Sequence, residues 1–270
     1  MSPLYPADRP ERAEAPPLWC YLTEPTRAVV DYGRMAGARP VLDGAPRGDG
    51  HPVLVLPGLL ASDRSTAPLR RFLRGLDYHV RGWRLGLNIG PTRGILTGMR
   101  QLLQEIAERH GEPVSLIGWS LGGIYARELA RERPELVRGV ITLGSPYRLT
   151  QPRETHAHRV FALLSPLHAP DDELPPPEHT RPGLSVPATS VYSRSDGIVH
   201  WRTCVEDPGP RRENVGVVSS HLGYGHNAAV LWLIADRLAQ DAGRWRPFVP
   251  PPALSHLYLD DPPTRDARPA

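Results

Sequence analysis

Val114-Ser115-Leu116-Ile117-Gly118-Trp119-Ser120-Leu121-Gly122-Gly123 is the stretch on which the reading of this chain turns. Val114 to Ile117 reads as a strand, and Leu121, Ile124, Tyr125 and Leu129 recur at helical spacing immediately afterwards. A strand that passes directly into a helix forces the residue at the join into a strained backbone conformation with its side chain exposed. Here that residue is Ser120. The positions two before and two after crowd together at such a turn, and Gly118 and Gly122 supply the small residues needed. Gly123 leaves room for close packing of helix on sheet. The helix N-terminus also aims its amides and dipole at negative charge developing near Ser120. The competing reading is an ordinary tight turn between strand and helix.

Outward from this segment, apolar runs alternate with helical patterns. Val53 to Leu56 is a continuous apolar run, as expected of a strand buried on both faces. Pro68 opens a helix carrying Leu69, Phe72, Leu73 and Leu76, and Tyr78 to Trp83 reads as a second strand. Ile95, Met99, Leu102, Leu103 and Ile106 mark a helix that Gly111 stops. Further strands are expected at Val140 to Leu143, Val186 to Tyr192 and Val215 to Val218, with a last helix through Val230, Leu231, Ile234 and Leu238. This rhythm predicts an α/β fold with a doubly wound, mostly parallel sheet, in which ligands bind outside the carboxyl ends of the strands. Residues 145–185, between the fourth and fifth core strands, break the rhythm and are expected to form a lid insertion over the site. Its one compact apolar stretch is Val160 to Leu164, and Pro175-Pro176-Pro177 follows. Residues 1–17 read as an N-terminal arm, 18–245 as the α/β domain and 246–270 as a Pro-rich C-terminal tail.

Composition excludes several classes. All 32 Lys or Arg positions are Arg, and they alternate with Asp and Glu, as in Arg127-Glu128 and Arg131-Glu132-Arg133. Such interleaving reads as solvated helix faces and gives no nucleic-acid footprint. Only Cys20 and Cys204 are present, too few for a disulfide framework, and two buried free thiols are expected. The first thirty residues hold no apolar run resembling a signal peptide, and no stretch approaches 18 uninterrupted apolar residues. A soluble, cytoplasmic protein without an integral membrane segment is the expectation.

A serine hydroxyl is a weak nucleophile until a base takes its proton, and a third group must orient that base. On a sheet of this kind the order along the chain is Ser, then Asp or Glu, then His. Asp196 lies just past the fifth strand and His221 just past the sixth, so both fall at the strand ends where Ser120 lies. His226 is a rival base, but it abuts the apparent helix cap at Asn227. His200 follows Asp196 too closely to donate a hydrogen bond to it. Asp207, the rival acid, sits in a Pro-rich loop farther from a strand end. An oxyanion hole needs backbone donors, expected from the Leu121 amide and, in the loop after the first strand, the Leu59 amide. Gly58 lets that loop turn inward.

Leu56-Pro57-Gly58-Leu59, Gly118-Trp119-Ser120-Leu121-Gly122-Gly123, Leu143-Gly144-Ser145-Pro146, Ser195-Asp196-Gly197-Ile198-Val199 and Ser219 with His221-Leu222-Gly223 together resemble bacterial lipase-like esterases of the α/β-hydrolase superfamily. The resemblance spans roughly residues 50–245. It implies carboxylic-ester hydrolysis without a cofactor, a small-molecule ester with an apolar acyl group as substrate, and a triad of Ser120, Asp196 and His221. The chain departs from the family's common pattern at Pro57, where many members carry His.

Two other functions stay open. Thioesterase or acyltransferase chemistry uses the same acyl-serine intermediate, and a non-catalytic binding scaffold could occupy the same fold. A metal at His156 and His158 with Asp171, Asp172 and Glu173 is weighed against a plain polar lid surface, which is preferred.

Overall fold

The computed structural model describes residues 14–241 and 243–259, the side chain of residue 179 aside. Six strands form one sheet: β1 (Pro52–Leu56), β2 (His79–Gly82), β3 (Val114–Trp119), β4 (Val137–Leu143), β5 (Ala188–Tyr192) and β6 (Arg212–Gly216). Their order is β2-β1-β3-β4-β5-β6, and every pairing is parallel.

Strand residues alternate between two faces, and the core divides accordingly. Val53, Val55, Ile117, Trp119, Ile141 and Leu143 pack on one face against Leu69 and Leu73 of α4 (Ala67–Gly75) and Val230 and Ile234 of α8 (Ala228–Leu238). Leu54, Leu56, Leu116 and Val140 pack on the other against Met99 and Leu103 of α5 (Arg93–His110) and Ala126 and Leu129 of α6 (Leu121–Glu132). Val53 to Leu56 are all wholly buried, and each such side chain contributes roughly 1.5–3 kcal/mol. The doubly wound sheet expected from the sequence is therefore present. The chain leaves β1 for β2 on one side and returns to β3 on the other, so the crevice between β1 and β3 is the switch point.

Several boundaries differ from expectation. β6 runs from Arg212 to Gly216 rather than from Val215 to Val218. It is an edge strand whose first three residues are polar, so an apolar run could not mark it. Val217 instead bridges Tyr258 in the C-terminal segment. That segment packs along the edge: Leu254 is buried, the Phe248 amide donates to Glu213, and the Leu259 amide donates to Gly216. Ahead of β1 the described residues form three helices that the periodicity did not reveal, α1 (Leu18–Leu22), α2 (Glu24–Gly37) and α3 (Arg39–Leu42). Residues 1–13 of the expected arm and 260–270 of the expected tail lie outside the described residues.

Between β4 and β5 the insertion holds one helix, α7 (His158–Leu164), and short 3-10 turns. Val160, Phe161 and Leu163 are exposed, so this apolar stretch is not spent on the core. The insertion is tied down elsewhere. Arg127 of α6, read above as part of a solvated face, is fully buried beneath it, paired with Glu178 and Glu206 and stacked over the Tyr147 ring at 4.0 Å. Removing one partner of so buried a group would leave an uncompensated charge. Cys20 and Cys204 are free and buried.

Candidate active site

Ser120 occupies the join of β3 and α6 with φ 53° and ψ −121°, a strained conformation for a residue with a side chain. A Cβ on Gly118 would overlap the backbone of Gly122 and Gly123, and one on Gly122 would overlap Leu56 O. These two glycines are therefore required for the turn to close against β1. The Ser120 amide donates to Leu143 O at 2.8 Å, which fixes the turn to the end of β4.

Asp196 and His221 come together at the same sheet edge. His221 Nδ1 lies 2.6 Å from Asp196 Oδ2, with both side chains buried. The other carboxylate oxygen, Oδ1, accepts the amides of Ile198 at 2.8 Å and Val199 at 2.9 Å. The Asp196 carboxylate is thus aimed by its own loop, and that loop is held by antiparallel contacts with the insertion at Glu154 to His156. Burial pulls the His221 imidazole down, but the Asp196 carboxylate outweighs it, with Glu24 adding to the effect, so the pKa lies above its ordinary value. The Trp119 indole donates to His221 O at 3.0 Å, joining the residue before Ser120 to the histidine loop. Among the described residues no hydrogen bond links the Ser120 and His221 side chains.

The loop after β1 passes beside the serine. A Cβ on Gly58 would stand 3.7 Å from Ser120 Oγ. The Leu60 amide donates to Asn88 O and the Ala61 amide to Gly58 O, whereas the Leu59 amide meets no acceptor among the described residues. Leu121 is the first residue of α6, where an amide has no partner within the helix. Asn88 also donates through Nδ2 to Pro57 O at 2.9 Å and accepts the Gly90 amide. This buried side chain fastens the loop after β2 to the loop after β1.

The rivals are occupied elsewhere. His226 contacts Ala28 O, His200 accepts the Arg202 amide at the start of a 3-10 turn, and Asp207 pairs with Arg148. Asn227 caps α8 by accepting the Ala229 and Val230 amides. His156 and His158 bond to the carbonyls of Pro16 and Thr155, and Glu173 pairs with Arg93. Among the described residues no group of three or more His, Cys, Asp or Glu could hold a metal ion. No described helix is long and apolar enough to cross a membrane.

A second Ser-His-Asp series lies at the opposite, amino edge of the sheet, and the sequence reading did not find it. His51 Nε2 is 2.9 Å from Ser115 Oγ, His51 Nδ1 is 2.5 Å from Asp49, and Asp49 pairs with Arg138. Ser115 borders a cavity of about 220 Å³ there. Ser115 is a strand residue paired on both sides, and Arg237 and Leu238, at the carboxyl end of α8, face the same cavity. The carboxyl end of a helix disfavours negative charge, the reverse of what an acyl-transfer intermediate needs.

Solved structures resemble the chain at low identity. Aspergillus fumigatus lipase B gives a TM-score of 0.54 at 17% identity over 72% of this chain, and the match covers 53% of the lipase. A structure described under LipS and LipT, two metagenome-derived lipolytic enzymes, gives 0.53 at 16% over 72% of this chain and 93% of that one. Mature Bacillus licheniformis lipase BlEst2 gives 0.50 at 16% over 73% and 94%. No family model matches the chain, and no curated protein matches it in sequence. Together with the parallel sheet wound on both faces, these likenesses show that the chain has the α/β-hydrolase fold.

Proposed function

We propose that the chain is a serine hydrolase that cleaves carboxylic esters through an acyl-serine intermediate, with Ser120 as nucleophile, His221 as base and Asp196 as its orienting acid. The observation that carries this reading is the 2.6 Å contact of buried Asp196 with His221 Nδ1, at the sheet edge where Ser120 sits half-buried on a strained turn. With Nδ1 engaged by the carboxylate, Nε2 is the nitrogen left to take the serine proton. Attack on the ester carbonyl gives a tetrahedral oxyanion, which the Leu59 and Leu121 amides receive. Such donors are worth roughly 2.7–4 kcal/mol each. The alcohol departs with the proton from His221, and water activated by the same imidazole releases the acid. The likeness to lipases and lipolytic enzymes supports an ester as substrate.

An apolar acyl group suits the surroundings. Leu60 and Leu87 are exposed on the loops after β1 and β2, and the Phe161 ring of the insertion packs at a tilt against His168, which reaches Ile89 O in the second of these loops. The insertion acts as a lid in this reading. Hydrolysis of p-nitrophenyl esters from acetate to palmitate, wild type beside Ser120→Ala, tests the proposal. Turnover that drops to background in the variant is expected. Equal turnover in both, or none at any chain length together with no fluorophosphonate labelling of Ser120, would overturn it.

A further inference from the structure

Glu24 and Asp31 are buried carboxylates on one side of α2, two turns apart, and the mechanism above makes no use of either. Glu24 Oε1 accepts the amide of Gly197 at 2.7 Å and that of His221 at 3.0 Å, while Oε2 accepts the amide of Leu222 at 3.0 Å. Asp31 Oδ2 accepts the Ser220 amide at 3.0 Å and its hydroxyl at 2.8 Å, and Oδ1 accepts from Asn227 at 3.1 Å. Between them Arg27 donates to Ser195 O and to Glu24. One helix face therefore grips both loops that carry the proposed acid and base, at the residues on either side of Asp196 and at Ser220, His221 and Leu222. A side chain at Gly223 would overlap Asp31, so the loop has been drawn against the helix as closely as its backbone allows.

We propose that Glu24 and Asp31 are positioning residues of the reaction: α2 is a clamp that sets the base and the acid relative to each other, and the N-terminal helices are a working part of the site. The inference rests on the hydrolase reading above. Its physical basis is that a buried carboxylate accepting amides from two loops ties them by charge-assisted bonds, stronger than neutral ones. Displacing a reacting group by about 1 Å can lower turnover roughly 100-fold. Glutamine cannot replace Glu24, because its amide nitrogen would face either the Leu222 amide or those of Gly197 and His221, donor against donor.

The test compares wild type, Glu24→Gln, Asp31→Asn and Ser120→Ala on one p-nitrophenyl ester, with thermal midpoints measured alongside. Folded Glu24→Gln and Asp31→Asn are expected to lose at least tenfold in kcat with KM within about twofold of wild type. The groups facing the His221 ring and backbone are Asp196, Glu24 with its partner Arg27, Tyr224 and Trp119. Removing the Glu24 charge should accordingly move the acid limb of the rate profile to lower pH, a readout a purely structural role would not shift. Folded variants with wild-type kcat and an unmoved limb would overturn the clamp. Should a variant fail to fold, amide hydrogen exchange in the wild type decides: protection of Gly197, Ser220, His221 and Leu222 at the level of α2 supports the clamp, and fast exchange overturns it. Wild-type turnover and its loss in Ser120→Ala test the underlying reading separately, and their absence overturns both.

Discussion

Gly58 brings its backbone against Ser120 so closely that a Cβ there would stand 3.1 Å from Ser120 Cβ and 3.4 Å from Trp119 O. One of the two must shift by a few tenths of an ångström to admit a methyl group. The Ser120 turn is fixed by Leu143 and by the glycines on either side, so the loop after β1 is the part that gives. Gly58→Ala should therefore move the Leu59 amide away from the developing oxyanion while the fold stays intact. About a tenfold loss in kcat is expected, with an unchanged thermal midpoint. Wild-type kcat in the alanine variant would remove Leu59 from the proposed hole.

The pH dependence follows from His221. As the base it must be neutral, and its pKa is raised, so activity should climb through an acid limb centred above 6.5. Stability runs the other way. A histidine whose folded pKa is raised contributes stability that is full below the unfolded value and lost as pH rises through the folded one. Asp196→Asn removes the main raising influence and leaves burial dominant, so the acid limb should fall below 6.5. Turnover should drop by up to about 10⁴-fold. Rate profiles of both proteins between pH 5 and 9 check the sign, and coincident limbs would argue against the pairing.

Asn88→Ala tests how the loop after β1 is held. The substitution removes the bonds to Pro57 O and the Gly90 amide but keeps the Asn88 backbone bonds to Leu60 and Ala61. Leaving buried polar groups unpaired costs about 1–3 kcal/mol, which denaturant titration would read. A fall in kcat larger than that seen in Gly58→Ala is expected, because the whole loop is loosened. A destabilised variant with full activity would confine Asn88 to the fold.

The parts legible in the sequence are those where burial leaves no choice of residue. β1 and β3 are buried on both faces, β1 reading as a continuous apolar run and β3 as one broken only at Ser115, and the Ser120 turn accepts only glycine at 118 and 122. β6 has one polar flank and a C-terminal segment across its edge, so its apolar residues lie at its end and the predicted strand slipped toward them. Arg127 looked like a surface residue because the carboxylates that bury it, Glu178 and Glu206, come from distant segments. Glu24 and Asp31 gave no signal for a related reason: four of the groups they bond are backbone amides of distant loops, which leave no trace in side-chain identity.

The relay at the amino edge gives the last prediction. Ser115, His51 and Asp49 reproduce the hydrogen-bond order of a catalytic triad, so atom types alone do not separate it from Ser120, His221 and Asp196. Surroundings do. Burial lowers the His51 pKa, and, against their own burial cost, the contacts with His51 and Arg138 bring Asp49 down to about 2. The contacts with His51, with Arg138 adding to them, thereby hold the charge of Asp49, and His51, its pKa lowered by burial, is bonded on both nitrogens inside the sheet edge. The cavity beside Ser115 ends on the carboxyl end of α8, whereas Ser120 begins a helix, so the local field favours an oxyanion only at Ser120. Ser115→Ala should leave ester turnover and fluorophosphonate labelling unchanged. It should cost about 1–3 kcal/mol of stability by stranding His51 Nε2. Labelling that survives in Ser120→Ala and disappears in Ser115→Ala would reverse the assignment and move the chemistry to the amino edge.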